Sequence, residues 1–414
     1  MKKFVCLVVW GFVTFGVASL SAAEQTPQTE FVFNLHRAVV KADPNANVAV
    51  SPYGVQQMLD LVRTGAVGET KTEIEQVLGY AKSVKWATPS DGTLTTAAAL
   101  WTQQGHPFLS AFLRTARENF GSAIEQADFA NNPDAAVKRI NAWCSEKTKG
   151  KIPEILEELS SMTRLVLANA IHFAADWKVP FEENMTRYST FTLQDGTEAE
   201  AKMMWQFGEQ MKYGESSDTL ILELPYKNGA DRRAPLLART FRSENRGGIL
   251  PRRTARPERG SDDYAMLLLL PKEPTEFATW ESEMTIEKWN KLRRTMRMED
   301  VNMCMPRFTM ESCIELNERL QQLGMTTAFE PFEADFSKIS SEELFVSRVL
   351  QKTFVKVDET GTEAAAVTVM LMDAAAAPPE EEPKEFYADR PFLYAIVKGD
   401  TILFLGRFVK PEPE

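Results

Sequence analysis

Val357-Asp-Glu-Thr-Gly-Thr-Glu-Ala-Ala-Ala-Val-Thr-Val-Met-Leu-Met-Asp-Ala-Ala-Ala-Ala-Pro-Pro-Glu-Glu-Glu382 is the stretch on which the reading of this chain turns. A strand-like run, Val349 to Val357, precedes it and gives way to a flexible Gly361. Small and β-compatible residues follow, and then a Pro/Glu segment suited to solvent. In an extended conformation Thr362, Ala364, Ala366, Thr368, Met370 and Met372 share one face, small at its start and apolar later, while Glu363 and Asp373 fall on the other. Such a segment is a loop that can become a strand, entering a sheet without burying a charge. Ala364 to Ala366 taken alone favours a linker or a surface helix by propensity. The wider context overrides that preference.

Outward from this loop, helical apolar spacing covers Thr26 to Val40, Ser51 to Leu78, Phe108 to Phe120 and Asp134 to Lys147. Ser51-Pro52 reads as a hydroxyl cap followed by a first-turn proline, and Gly150 as a helix stop. Later runs bounded by turn residues read as strands: Leu165 to Phe173, Leu220 to Leu224, Tyr264 to Leu270, Val301 to Phe308, Val349 to Val357, Phe392 to Val397 and Thr401 to Val409. Helices gathered early and strands late predict an α+β fold with antiparallel or mixed sheets. With 44% apolar and 25% charged residues among 414, and no dividing linker, residues 24–414 are expected to form one globular domain.

Lys2 and Lys3, the apolar run Phe4 to Leu20 and the small residues Ser21-Ala22-Ala23 predict a cleaved signal over residues 1–23. The mature protein is expected to be secreted or periplasmic, soluble, without a membrane span and monomeric. Its three cysteines, Cys144, Cys304 and Cys313, support neither a disulfide framework nor a zinc site. A formal charge of −11 argues against a nucleic-acid binder. Only His36, His106 and His172 are present, and no HExxH, GxSxG, phosphate loop or GxGxxG occurs. No catalytic residue, metal or cofactor is therefore expected.

Glu359-Thr-Gly-Thr-Glu-Ala-Ala-Ala resembles the loop hinge of the serpin family, and the likeness extends along nearly the whole mature chain. Asn47-Val-Ala-Val-Ser-Pro, Ile140-Asn-Ala-Trp, Leu167-Ala-Asn-Ala-Ile-His-Phe, Trp177, Leu224-Pro-Tyr, Pro306-Arg-Phe, Arg390-Pro-Phe and Phe404-Leu-Gly-Arg resemble family blocks in the family's order. The resemblance implies three β-sheets, about eight or nine helices and an exposed reactive loop, here about residues 359–386. It also implies a suicide-substrate inhibitor: a serine protease cleaves the loop and is trapped as its acyl-enzyme while the loop inserts into the main sheet. The hinge would be Glu359, Gly361, Thr362, Glu363, Ala364, Ala365 and Ala366. Counting from Glu359 as in inhibitory relatives puts the scissile bond between Ala375 and Ala376. A small residue there suits the shallow pocket of elastase-like proteases, and Met370, Leu371 and Met372 offer points for chymotrypsin-like ones.

The chain departs from the family pattern in three places. Where relatives carry a histidine in the region of sheet opening, this chain has Gln351; Ser51, Asn169 and Trp177 match the family there. A glutamine keeps hydrogen-bonding capacity without an imidazole's titration. The stretch between Tyr80 and Leu94 is short, so heparin activation of the usual kind is not expected. Ala230 to Asp262 is an insertion with nine arginines, four acids and no lysine. It reads as a disordered insertion or, more sharply, as a polyanion-binding loop. The competing functions are a non-inhibitory serpin-like binding protein and a protease substrate whose loop inserts too slowly.

Overall fold

The computed structural model describes residues 29–82, 84, 86, 93–120, 123–227, 263–362 and 382–411. In chain order it contains α1 (Phe31–Val40), β1 (Val48–Val50), α2 (Pro52–Gly65), α3 (Gly68–Leu78), β2 (Leu94–Gln103), α4 (Ser110–Thr115), β3 (Ala123–Ala127), α5 (Pro133–Lys147), β4 (Leu165–Phe173) and β5 (Ala175–Asp176). There follow β6 (Arg187–Thr192), β7 (Glu198–Glu215), β8 (Thr219–Pro225), β9 (Tyr264–Pro271), α6 (Phe277–Ser282), α7 (Ile286–Thr295), β10 (Arg297–Pro306), β11 (Phe308–Glu315) and α8 (Asn317–Gln322). The last strands are β12 (Arg348–Val357), β13 (Gly361–Thr362), β14 (Lys384–Tyr387), β15 (Phe392–Lys398) and β16 (Thr401–Phe408).

The main sheet runs β3-β2-β4-β12, with β11 on the far side of β12 and the short β13 and β5 completing one end. Its two central strands are parallel, paired from Arg348–Val166 to Phe354–His172. Every residue of β4 is buried because both faces are covered. Leu165, Leu167, Ile171 and Phe173 face the principal core, and Val166, Ala168 and Ala170 face a second cluster beneath α5. In β12 the same alternation puts Val349, Val355 and Val357 inward and Leu350 under α5. The second sheet has nine strands, β1-β16-β15-β9-β8-β7-β10-β14 with β6 beside β7. The three sheets implied by the family likeness emerge as two hydrogen-bonded networks because β7 and β10 run on without interruption. They bend at a bulge between Val301 and Met303, opposite Gly208 at φ +65°.

Several sequence expectations need correction. Ser51 to Leu78 is two helices, α2 and α3, broken where Val67 turns extended and its N–H donates to the Asp335 carbonyl at 2.9 Å. Phe108 to Phe120 holds only α4 and a π-turn over Ala116–Phe120. Val301 to Phe308 spans the junction of β10 and β11. Strands also lie early, in β2 and β3, and helices late, in α6 to α8, so the two classes are interleaved more than their sequence patterns suggest.

Candidate functional site

Two groups of residues converge on the line where β4 and β12 meet. The first lies at mid-sheet. Ser51 caps α2, its Oγ accepting the Gly54 N–H at 3.1 Å while donating to the Leu403 carbonyl at 2.6 Å. Gln351 of β12 is wholly buried against it. Its Oε1 accepts the Ser51 N–H at 2.8 Å, and its Nε2 donates to the Ser51 carbonyl and to Asn169 Oδ1, both at 2.9 Å. Two strands and a helix cap are thus tied by one amide, which supplies the donor and the acceptor the site needs. Gly54 is required here, because a Cβ on it would lie 2.2 Å from Asn169 Oδ1. Thr353 adds a bond from its Oγ1 to the Ala49 carbonyl at 2.9 Å.

The second group lies at the end of the sheet where β12 gives way to the loop. Trp177 belongs here rather than with Ser51, Asn169 and Gln351. Its indole donates to the Asp358 carbonyl at 2.9 Å and stacks on Tyr226 with centroids 4.5 Å apart. The backbone N–H groups of Trp177 and Phe181 donate to the carbonyls of Thr360 and Glu359 at 2.9 and 2.8 Å. The Asp358 carboxylate folds the turn, accepting from the Thr360 N–H at 3.0 Å, the Thr360 hydroxyl at 2.7 Å and the Gly361 N–H at 3.3 Å. Glu359 sits 3.6 Å from the Arg307 guanidinium.

Beyond that turn, Gly361 and Thr362 form a short strand between β12 and β5. Thr362 lies opposite Val357 on one side and Ala175 on the other, antiparallel to both. Its hydroxyl meets the Tyr226 hydroxyl at 2.7 Å in full burial. Burial pushes the Tyr226 phenol far above its ordinary pKa, despite the Thr362 bond, so it stays protonated and remains a donor. Gly361 is packed backbone to backbone: a Cβ there would sit 2.2 Å from the Ala175 carbonyl oxygen and 2.7 Å from Asp176 Cα.

Of the residues singled out from sequence, Ser51, Asn169 and Gln351 come together, and Glu359, Gly361, Thr362 and Trp177 form the separate hinge group. Glu363, Ala364, Ala365, Ala366, Ala375 and Ala376 lie outside the described residues, as does the whole of the Arg-rich insertion. Tyr226, Asp358, Ala175 and Arg307 were not anticipated as hinge contacts. Leu224-Pro-Tyr and Pro306-Arg-Phe, visible as blocks, were the available signals. Among the described residues no group of three His, Cys, Asp or Glu could hold a metal, and no helix is long and apolar enough to cross a membrane.

An α+β molecule whose main sheet takes in Gly361 and Thr362 as a short strand at one end defines a recognisable class. A family model described as "Serpin (serine protease inhibitor)" matches residues 26–234 and 259–411, passing over the middle of the Arg-rich insertion. The chain belongs to the serpin family of protease inhibitors. It is 33% identical to an uncharacterized serpin-like protein of Thermococcus kodakarensis over 92% of this chain and 84% of that one. It is 31% identical to a leukocyte elastase inhibitor of Equus caballus over 93% and 99%. The crystal structure of a thermophilic serpin, tengpin, in its native state superposes with a TM-score of 0.76 at 26% identity, covering 92% of each chain.

Proposed function

We propose that the protein is an exported suicide-substrate inhibitor of serine proteases, with elastase-like enzymes preferred. The observation that carries this reading is the Gly361–Thr362 wedge, which already occupies the position of an added strand between β12 and β5. Nine residues below Val357 and nine below Ala175 are Arg348 and Val166, which pair with each other. One register therefore runs the length of the slot. Continuing it down the sheet brings Ala364 beside Val355 and Phe173, Ala366 beside Thr353 and Ile171, Thr368 beside Gln351 and Asn169, and Met370 beside Val349 and Leu167. Small residues enter first, and the one hydroxyl among the inward residues below Ala366 arrives at the polar cluster.

The chemistry would be the protease's own. Its serine Oγ bonds to the Ala375 carbonyl carbon, the Ala375–Ala376 C–N bond breaks, and the Ala376 nitrogen leaves with a proton. Release of that tether lets the loop part the β4–β12 pairing and gain hydrogen bonds on both edges, and the stored difference drives translocation of the acylated protease. Ala375 suits a shallow specificity pocket, and the leukocyte elastase inhibitor of Equus caballus is among the relatives. The bulk of Met370, which must pass between Val349 and Leu167, favours the slow-inserting substrate as the second reading.

The test is titration of an elastase with the mature protein, followed by denaturing electrophoresis and mass measurement of the small released fragment. The proposal expects about one molecule consumed per protease, a denaturant-stable conjugate and a fragment beginning at Ala376. Turnover of many molecules with the protease left active would establish the substrate reading instead.

A further inference from the structure

We propose that the groove between the C-terminal end of α1 and the end of β16 binds a single-chain amphipathic anion, a free fatty acid whose carboxylate is held by Lys41 and Lys410. The groove has a volume of about 770 Å³, within the range that small organic ligands fill. Its sides are the last turn of α1 with the turn that follows, the β6–β7 turn, α6, and the end of β16 with the residues after it. None of these elements belongs to the main sheet, so the site stands apart from the slot and from the trapping of a protease.

Val40, Pro44, Leu193, Ala278 and Val409 give the groove an apolar wall. The charged groups of its lining are four cations, Arg37, Lys41, Arg407 and Lys410, against two acids, Asp195 and Glu281, in a chain whose net charge is −11. Four of the six are already partnered. Glu281 is buried, and its carboxylate receives the Arg407 guanidinium at 3.0 Å and lies 2.8 Å from His36 Nε2. Arg407 also donates to the carbonyls of Ala46 at 2.9 Å and Asp43 at 2.6 Å. Arg37 donates to the Met284 carbonyl at 2.6 Å and to Glu30 at 3.0 Å. Asp195 accepts the N–H and the hydroxyl of Thr197 at 2.9 and 2.6 Å. Lys41 and Lys410 remain: both are exposed, and neither ammonium has a hydrogen bond or ion pair among the described residues. Their backbones are nonetheless fixed. The Lys41 N–H donates to the Arg37 carbonyl at 3.1 Å in the last turn of α1. Asn47 clamps Lys410, its Nδ2 donating to the Lys410 carbonyl at 2.8 Å and its Oδ1 accepting the Lys410 N–H at 3.2 Å. Two unpaired cations on the edge of an apolar groove complement an anionic head carrying a hydrocarbon chain, which a small inorganic anion or a neutral lipid matches only in part.

The test is isothermal titration of the full mature protein with dodecanoate, kept below its micellar concentration at low ionic strength. One saturable site is expected, with affinity rising about two- to fourfold for each methylene between octanoate and dodecanoate as the chain is buried. The double variant Lys41→Gln/Lys410→Gln should bind dodecanoate about tenfold more weakly. Added salt should weaken binding to the parent, and dodecyltrimethylammonium should not compete. Ala278→Trp fills the groove and should abolish binding. Because all three positions are exposed, both variants should melt where the parent does. Dodecanoate binding of equal strength in the parent and both variants, or no saturable binding at all, would overturn the site. Adsorption of the protein to phosphatidylglycerol vesicles without binding of the monomeric fatty acid would also overturn it, making the two lysines part of a membrane-facing patch instead.

Discussion

Replacing Gln351 with leucine tests whether the mid-sheet amide holds the slot shut. The side chain is fully buried and makes three hydrogen bonds, at 2.8, 2.9 and 2.9 Å. Leucine fills nearly the same volume but deprives the Ser51 N–H and Asn169 Oδ1 of their partner. The Ser51 carbonyl keeps a second donor, the Val55 N–H at 3.1 Å. Two buried polar groups left unsatisfied cost about 1–3 kcal/mol each, and the apolar surface gained by leucine offsets part of this. The uncleaved Gln351→Leu protein should lose about 2–5 kcal/mol, read as a lower urea midpoint at unchanged slope. Gln351→His should recover part of that loss and add a pH dependence near neutrality that the parent lacks at this position. If Gln351→Leu matches the parent within about 0.5 kcal/mol, the amide does not fasten the two strands and the reasoning fails.

Gly361→Val should expel the hinge from the slot, because its Cβ meets backbone that has no room to yield. The expected signs are rapid proteolysis after residue 357 and a rise in the number of inhibitor molecules consumed per protease. Ala375→Arg should transfer inhibition from elastase to a trypsin-like protease, measured by association rates with each; retention of the elastase preference would place the scissile bond elsewhere. Glu73 accepts four hydrogen bonds from Thr326 and Thr327 at 2.8–2.9 Å. Burial alone would raise its pKa, but these bonds outweigh it and hold the carboxyl below the ordinary value of 4.5. Its stabilising contribution is therefore present above that value and lost as pH falls through the depressed one. Glu73→Gln should lower stability at pH 7 and flatten the acid limb of a stability–pH profile; coincident profiles would contradict the assignment.

The parts of the fold legible in sequence are those where burial leaves no choice. β4 and β9 read as strands because both faces need apolar residues, and α5 because its apolar spacing runs up to a glycine stop at Gly150. β2 was missed because Leu-Thr-Thr-Ala-Ala-Ala-Leu-Trp carries alanines that suit a helix as well, and only pairing with β3 and β4 decides the matter. β7 was missed because six of its eighteen residues carry charge, four of them exposed. Of the hinge residues read from the sequence, Glu359, Gly361 and Thr362 lie at the end of the main sheet, and Glu363 to Ala366 lie outside the described residues. Tyr226, 136 positions from its partner Thr362, was not legible, since no local pattern reports a contact at that separation.

The most direct measurement is thermal unfolding of the mature protein before and after cleavage of the loop by elastase, followed by circular dichroism. Insertion adds a strand paired on both edges down the length of the slot, so the account predicts a large rise in the melting temperature on cleavage, with the released fragment retained until that higher transition. A cleaved protein that melts where the intact one does would show that the slot never opens, and would contradict the account.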